Sequence, residues 1–362
     1  MSSYLITGGA GFIGKRLSAA LIASGHRVSV FDNIHPQVHK NGSDIVAELE
    51  LLGVEVVRAD VCDADLLKSS VISFRPNVIV HLAAETGTGQ SYDLPNRYCS
   101  VNVTGTANVV EAARSAKAQG IDLQRIILAG SRAVYGEGAC LDASNNQVTA
   151  VPRKSDDLQK GDFSPKDQHG NQVTPVPSRA SSTVVAPSSI YASTKLMQEF
   201  ILQQGLEQTG IDVGILRLQN VYGAGQSLNN PYTGVLSIFC QQLLEGKVLN
   251  IFEDGDIVRD FVYVSDVVDA FVSLCEIDIL PHAIIDIGCG KPDTILNVAN
   301  LIIEIMGLEG PRTRITGQFR AGDIRYAVAD ISDAKKLLGW GPKVDLYQGI
   351  AELVEWARCS HA

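Results

Sequence analysis

The sequence predicts an α/β fold in which a parallel sheet is covered by helices on both faces and followed by a smaller α/β domain. Three observations lead to this prediction. Short β-branched runs alternate with longer helical patterns through the first half of the 362-residue chain. A glycine-rich turn joins the first strand to the first helix. Beyond residue 219 strand-like and helix-like patterns mix. A βαβα order of this kind is typical of a doubly wound sheet.

Short apolar runs rich in Val and Ile are expected to be strands that are buried on both faces. They cover residues 3–7, 27–31, 54–59, 77–83, 124–130 and 211–218. Helical periodicity covers residues 12–24 and 104–119, which are followed by Gly25 and Gly120. A glycine directly after the last helical turn is a common helix stop signal.

The change in pattern divides the chain into two expected domains. The first covers residues 1–218, the second covers residues 219–362, and residues at about 262–289 return to the first. Residues 137–187 interrupt the first domain, since they are polar and aperiodic and are rich in Ser, Pro, Asp and Gln. A stretch of this length is either an insertion or a mobile loop.

Composition excludes several functional classes. The formal net charge of −10 and the pI near 5.2 argue against nucleic acid or an anionic membrane as the main partner. No apolar run reaches the length of a membrane span, and the chain enters a strand without the pattern of a signal peptide. The seven cysteines are scattered, which favours reduced thiols. We therefore expect a cytoplasmic protein.

The stretch "LITGGAGFIG" places Gly8, Gly11 and Gly14 between the first strand and the first helix. Glycines let the backbone approach a pyrophosphate, and the N-terminus of a helix offers free N–H groups to it. Asp32 follows at the end of the second strand, where a carboxylate accepts hydrogen bonds from a ribose 2′-hydroxyl and repels a 2′-phosphate. The pattern predicts an NAD site rather than an NADP site.

With these glycines, a Tyr-x-x-x-Lys pair in "YASTK" (191–195) resembles the extended short-chain dehydrogenase/reductase family, within it the nucleotide-sugar epimerases and dehydratases. Further matching segments occur in the family's order. They are "HLAAETGTGQS" (81–91), "GSRAVYG" (130–136), "RLQNVYGAGQ" (217–226), "EDGDIVRDFVYVSDV" (253–267) and "RAGDIRY" (320–326). The resemblance covers nearly the whole chain and implies a Rossmann domain, bound NAD and a nucleotide-sugar substrate.

The resemblance also implies which residues contact the cofactor. In addition to the glycines and Asp32, they are Phe12, Ile13, Asn33, Asp60, Val61, Leu82, Ala83, Ala84, Tyr191 and Lys195. Asp60 either lies beside the adenine or only caps a turn.

Tyr191 and Lys195 share one face of a helix, because residues four apart lie one turn from each other. An unperturbed Tyr titrates near 10, and a neighbouring ammonium favours its phenolate. In the family this Tyr takes the proton from a sugar hydroxyl, the Lys binds the nicotinamide ribose, and a Ser or Thr, here Ser131, bonds the same hydroxyl.

The two positions after Ser131 indicate the reaction. Related dehydratases carry Asp-Glu there, related decarboxylases a Glu and 3,5-epimerases a Cys at the second position, whereas this chain has Arg132 and Ala133. The resemblance therefore implies 4-epimerisation by transient oxidation at C4. The segment 81–91 and the insertion resemble those of dTDP-L-rhamnose 4-epimerases, which favours a dTDP-6-deoxyhexose. An NAD(H)-dependent 4-keto-sugar reductase or dehydrogenase, a UDP-hexose 4-epimerase and a nucleotide-sensing protein are the alternatives.

Residues expected on the substrate side follow from the same resemblance. Arg259 and Arg320 bind the diphosphate, Asp323 the nucleoside ribose, and Asn220 a diphosphate oxygen or the sugar. Weaker candidates for the sugar pocket are Glu85, Thr86, Ser91 and Asn102, with Ser131 as the catalytic contact.

Two expectations concern metal and assembly. Similar sequences carry paired Cys or His ligands in the insertion, but this chain keeps only Cys140 and His169 there, so we predict no metal. The helices at about 95–119 and 189–209 have apolar faces beyond what one sheet requires. In the family such helices form an intersubunit four-helix bundle, which implies a homodimer.

Overall fold

A computed structural model of the chain describes residues 1–39, 42–228, 234–281, 284–320 and 322–361. Its strands in chain order are β1 (Ser3–Thr7), β2 (Arg27–Asp32), β3 (Glu55–Arg58), β4 (Val78–His81), β5 (Arg125–Ser131), β6 (Ala139–Leu141), β7 (Gln147–Thr149), β8 (Thr174–Pro175), β9 (Asp212–Leu218), β10 (Asn220–Tyr222), β11 (Leu249–Ile251), β12 (Val258–Arg259), β13 (Phe261–Tyr263), β14 (Ile284–Ile287), β15 (Asp293–Thr294), β16 (Thr313–Ile315) and β17 (Tyr326–Ala327). Its α-helices are α1 (Phe12–Ala23), α2 (Gly42–Leu51), α3 (Ala64–Phe74), α4 (Thr88–Asp93), α5 (Pro95–Tyr98), α6 (Gly105–Ala118), α7 (Ser155–Gln159), α8 (Ile190–Gly205), α9 (Val235–Leu244), α10 (Val264–Glu276), α11 (Ile295–Met306), α12 (Ser332–Leu338) and α13 (Leu346–His361).

Contacts between residues divide the chain into two units. The first unit holds Met1–Ser131, Ser193–Arg217 and Val267–Ile284, and the second holds Arg132–Ala192, Leu218–Asp266 and the residues from Ile285 onward. The sequence-based division groups residues 132–192 with the first domain, whereas the contacts place them in the second unit.

The first unit is a parallel α/β sheet. Its strands lie in the order β9-β5-β4-β1-β2-β3, and the pairs β1–β2, β2–β3, β1–β4 and β4–β5 are parallel. The strand order reverses between β1 and β4, and ligands of such sheets bind outside the carboxyl ends of the strands at that point. The loops after β1 and β4 therefore meet at the edge where a cofactor is expected.

The core of the first unit lies between the sheet and the helices α3 and α6. Leu5, Phe31, Ile79 and Ile126 are at most 1% exposed and belong to one apolar cluster. Complete burial of a side chain of this size stabilises the fold by about 1.5–3 kcal/mol. This dense packing gives the loops at the carboxyl edge a rigid support.

The second unit combines small sheets with helices. Strands β10–β13, β11–β16 and β12–β17 pair in parallel, and β15 pairs with β12 in the antiparallel sense. Helices α9, α11 and α13 pack against one another. None of the helices in the described part of the chain is long and apolar enough to span a membrane.

The insertion is ordered and contains a short repeat that the sequence analysis missed. Strand β6 pairs antiparallel with β7 and with β8. The side chains of Asp142 and Asp167 each accept hydrogen bonds, at 2.8–2.9 Å, from the backbone N–H groups two and four residues further on. The stretches that follow, "NQVTAVP" (146–152) and "NQVTPVP" (171–177), differ at one position. The two turns are thus copies of one design, an Asx turn.

Cys140 and His169 lie in different surroundings. Cys140 is buried and packs against Val148, Ala150 and Val173, whereas His169 lies in the exposed second turn. The absence of a metal remains a prediction.

One arginine of the insertion anchors it to the rest of the second unit. The guanidinium of Arg153 donates to Glu137 at 2.9 Å, to both carboxylate oxygens of Glu253 at 2.9 and 3.0 Å, and to the backbone oxygen of Asp323 at 2.9 Å. The three charged side chains are 1–3% exposed. Arg325 bonds Glu253 from the other side at 3.0 Å. Burial raises the pKa of Glu137, against the opposing effect of Arg153.

Candidate active site

The loop between β1 and α1 leaves no room for side chains at two glycines. Gly8 has a φ of 69°, and a Cβ built on it would lie 2.6 Å from the backbone nitrogen of Ala83 in the loop after β4. A Cβ on Gly14 would lie 2.5 Å from the Cα of Gly9. Gly11 is the N-cap of α1, so the first N–H groups of that helix open into the loop. This cradle fits the pyrophosphate of a dinucleotide.

The carboxylate predicted to bind the ribose ends β2. Asp32 is 8% exposed, and its oxygens accept the N–H groups of Ala10 at 3.0 Å and Ile34 at 2.8 Å. Burial raises its pKa. A carboxylate accepts about four hydrogen bonds, so lone pairs are left for a ribose hydroxyl. The predicted neighbours Asn33 and Asp60 come together, with 2.9 Å between amide nitrogen and carboxylate oxygen.

Helix α8 carries the predicted catalytic pair near its N-terminus. Tyr191 is partly exposed, and Lys195, one turn later, is 3% exposed. Burial disfavours the ammonium and lowers the pKa of Lys195 to about 8. Ser131 is the last residue of β5 and is buried. A buried lysine whose pKa is lowered by several units is typical of a functional site.

In the second unit, two predicted substrate residues form an ion pair. Arg259 contacts the carboxylate of Asp323 at 2.6 Å, and its guanidinium also donates to the backbone oxygen of Ile324 at 3.0 Å. The exposed Arg320 lies over the ring of Phe252, with 4.7 Å between guanidinium carbon and ring centroid. Two arginines near the same carboxylate-bearing segment fit an anionic ligand.

Comparison with known proteins agrees with this geometry. The sequence profile of the NAD dependent epimerase/dehydratase family matches residues 4–288. The chain belongs to this family. It is 42% identical to a dTDP-L-rhamnose 4-epimerase from Burkholderia thailandensis over 97% of this chain and 94% of that protein.

Solved structures of family members resemble the whole chain. The UDP-glucuronic acid 4-epimerase from Bacillus cereus, in complex with UDP-glucuronic acid and NAD, matches with a TM-score of 0.79 and 25% identity over 99% of both chains. The UDP-glucose 4-epimerase from Thermotoga maritima, with UDP-glucose, matches with a TM-score of 0.77 and 27% identity over 99% of this chain and 100% of that chain. The predictions of the Rossmann fold, of the family and of NAD are thereby confirmed.

The remaining predicted cofactor residues stay predictions, and their positions in this epimerase-family chain are clear. Phe12 and Ile13 open α1, Leu82, Ala83 and Ala84 follow β4, and Val61 packs where a Cβ on Gly105 would meet it at 2.7 Å. All of these residues except Val61 lie in the loop after β4 or in the first turn of α1, at the carboxyl edge of the sheet.

The segment after β4 is held by neighbours rather than left open. Asn102 is completely buried, and its amide bonds the backbone N–H of Glu85 at 2.7 Å, the backbone oxygen of Glu85 at 3.1 Å and the hydroxyl of Thr194 at 2.9 Å. The hydroxyl of Tyr98 donates to the backbone oxygen of Thr86 at 2.6 Å. Asn102 therefore supports the segment, and its contact with the sugar remains a prediction.

Two other weak candidates have partners within the first unit. The carboxylate of Glu85 forms an ion pair with Arg97 at 2.7 Å, and the hydroxyl of Ser91 donates to the backbone oxygen of Thr88 at 2.7 Å. Ser91 is 1% exposed and Thr86 is exposed. Of the four weak candidates, Thr86 and Glu85 are the most accessible.

Three polar residues with a structural or functional task escaped the sequence analysis, namely Arg132, Arg153 and Gln198. Arg132, which served only as an argument against dehydration, is 8% exposed, and its pKa is lowered to about 9 by burial and by the charge of Arg259. The sequence could have indicated Arg132, since a charged residue directly after a buried strand is unusual. Arg153 and Gln198 gave no local signal, because their partners are distant in sequence.

Proposed function

We propose that this chain is an NAD-dependent nucleotide-sugar 4-epimerase that interconverts dTDP-L-rhamnose and dTDP-6-deoxy-L-talose. The relative from Burkholderia thailandensis, 42% identical, supports this substrate, and its match runs through the insertion because it covers 97% of the chain. The observation that carries the proposal is the pair on α8, a tyrosine one turn before a buried lysine, in a chain without an acid–base pair at positions 132 and 133.

The residues of α8 and β5 support proton transfer at C4. Tyr191 takes the proton of the C4 hydroxyl, since the ammonium of Lys195 favours the phenolate. Ser131 bonds the same hydroxyl and orients it. NAD⁺, held by the β1–α1 loop and Asp32, would supply a reversible hydride acceptor for C4. Position 133 is an alanine and offers no acid or base, so the ketone does not undergo elimination. The ketone rotates before the hydride returns to its other face, and this rotation inverts C4.

Residues of the second unit bind the nucleotide diphosphate in this proposal. Arg259 and Arg320 contact the phosphates, Asp323 the nucleoside ribose, and Asn220 a diphosphate oxygen or the sugar. The ion pair between Arg259 and Asp323 holds both side chains in place before a ligand arrives. The weaker candidates proposed to contact the sugar are Thr86, Glu85, Ser91 and Asn102.

The test uses purified protein and four substrates, namely dTDP-L-rhamnose, UDP-glucose, UDP-glucuronate and a dTDP-4-keto sugar with NADH, with NMR of the products. We expect a C4-epimer mixture from dTDP-L-rhamnose without added NADH. Preference for UDP-glucose would favour the UDP-hexose alternative, which the Thermotoga maritima structure makes the second candidate. Stoichiometric NADH consumption with a 4-keto sugar, without epimer exchange, would refute epimerisation in favour of a reductase.

We also propose a cytoplasmic homodimer. Large apolar side chains are exposed in the first unit at and near the helices predicted to pair, with Met197 44% and Phe200 41% exposed on α8 and Tyr92 80% and Leu94 41% exposed around α4. Met197 and Phe200 are three residues apart and share a face of α8. In this proposal, these side chains face a second copy of the chain.

A further inference from the structure

The buried side of α8 is polar where a core helix would be apolar. Thr194, Lys195, Gln198 and Glu199 are each at most 3% exposed. Glu199 is paired with Arg217 through two hydrogen bonds, at 2.9 and 2.7 Å, which joins α8 to β9. Buried polar side chains weaken a fold unless they are fully hydrogen-bonded. Four buried polar side chains on one helix therefore indicate a functional role for this face.

The ammonium of Lys195 donates to the side-chain oxygen of Gln198 at 2.6 Å. Within the described residues, this oxygen is the sole acceptor of a hydrogen bond from that ammonium. The bond is shorter than most N–H···O bonds, as expected when the donor is charged. Gln198 is three residues after Lys195, so both side chains leave the same face of the helix.

The amide of Gln198 is itself fixed in orientation. Its nitrogen donates to the hydroxyl oxygen of Thr106 at 2.8 Å, so the amide oxygen must face Lys195. The hydroxyl of Thr106 donates its proton to the backbone oxygen of Asn102 at 2.5 Å. A flipped amide would oppose its NH₂ group to an ammonium, and both would then be donors.

A neutral histidine completes the chain of hydrogen bonds. His81 contacts Thr7 through Nδ1 at 2.7 Å and Thr106 through Nε2 at 2.9 Å. Because Thr106 already donates elsewhere, the consistent arrangement has Thr7 donating to Nδ1 and Nε2–H donating to Thr106. Burial, and then the charge of Lys195, lower the pKa of His81 to about 3. The imidazole thus stays uncharged beside the ammonium.

We propose that Gln198 is a positioning residue that holds the Lys195 ammonium, charged and in one place, for the reaction on α8. This inference rests on the proposed function, in which Lys195 acts on Tyr191. The ionisable groups that interact with Lys195 are Glu199 on its own helix and His81 from β4, and Glu199 is paired with Arg217 of β9. Tyr191 precedes Lys195 by one turn of α8. Gln198 does not titrate, and its side-chain oxygen is the group that contacts the ammonium directly.

The direction of the expected pH effect follows from charge. Activity requires the ammonium, so the rate falls as the pH rises through the pKa of Lys195. Gln198→Met removes the acceptor at nearly constant volume. The apparent pKa at which kcat falls on the alkaline side should decrease by about one to two pH units, as for a lost hydrogen bond to a charged group. Gln198→Glu adds a negative charge, and the same apparent pKa should increase. Gln203, exposed on the same helix, provides the control Gln203→Met, with an unchanged profile.

Shifts in opposite directions for the two variants support the inference. Equal loss of rate at every pH, with no shift of this apparent pKa, would overturn it, because a structural role alone predicts that result. A second measurement needs no turnover, namely titration of the Lys195 side chain by NMR in ¹³C-lysine-labelled protein, with Lys195→Arg to assign the signal. A Lys195 pKa that is the same in wild type and both variants would also overturn it. Failure of the proposed function is recognised separately, since the wild type would then epimerise no nucleotide sugar.

Discussion

Replacing Arg153 by methionine tests how the insertion is held. The change keeps much of the apolar stem and removes a guanidinium that bonds Glu137, Glu253 and the backbone oxygen of Asp323. Glu253 keeps Arg325 as a partner, whereas Glu137 loses its ion-pair partner and keeps the hydrogen bond from the backbone N–H of Arg325 at 2.8 Å. Removing one member of a buried ion pair costs about 3–5 kcal/mol, because the other charge stays buried.

Calorimetry measures this cost. For a unit of roughly 150–250 residues, 1 kcal/mol corresponds to about 2–4 °C in Tm, so Arg153→Met should lower the Tm by roughly 6–20 °C. Lys166→Met is the matched control, because Lys166 lies in the same insertion and its pairs with Asp157 and Asp162 are exposed to solvent. Its Tm should stay close to that of the wild type.

The penalty should also depend on pH. The pKa of Glu137 is already raised by burial, and loss of Arg153 raises it further. The folded state then binds a proton more tightly than the unfolded state, so stability falls as the pH rises from the unfolded pKa to the folded one. The destabilisation by Arg153→Met should therefore be larger at pH 7.5 than at pH 4.5. A Tm within about 2 °C of wild type at both pH values would refute the argument that this arginine anchors the insertion.

Three further changes test the glycine cradle, the proposed base and the proposed interface. Gly14→Ala should abolish NAD binding in calorimetric titration while the protein stays folded by circular dichroism, and retained affinity would contradict the cradle. Tyr191→Phe should reduce kcat by at least about 100-fold, the usual contribution of a general base, with NAD affinity within a factor of about three; unchanged turnover would remove the proposed base. Phe200→Glu should convert a dimer to a monomer in light scattering, because it places a charge in an apolar interface, whereas Tyr347→Glu, at an exposed side chain of α13, should not; a Phe200→Glu protein that remains dimeric would contradict the proposed interface.

The fold of the first unit was predictable because its signals are local. Apolar runs such as residues 3–7 and 212–218 are bounded by glycines or polar turns. The glycines of the β1–α1 loop indicate directly that two backbone segments approach each other closely there. The position of Asp32 was predictable for the same reason, since it ends a strand, and its contact with the ribose remains a prediction.

The rest of the site could not be predicted because it depends on contacts between distant residues. No residue near Gln198 in the sequence reveals that Thr106 fixes its amide, and none near Asn102 reveals that its amide is hydrogen-bonded to the backbone of Glu85. The polar composition of residues 137–187 concealed an ordered segment, because its anchor is one buried arginine rather than an apolar stripe.

The two matching Asx turns of the insertion have a consequence for the order of folding. Asp142 and Asp167 each close a loop of five residues with their own carboxylates, and loops so short form fast and at little entropic cost. Docking through Arg153 must bring together groups 100 residues apart in the chain, as in its bonds to Glu253. The hairpin should therefore nucleate early and dock late. A weakened anchor would then accelerate the release of the insertion far more than it would delay its formation.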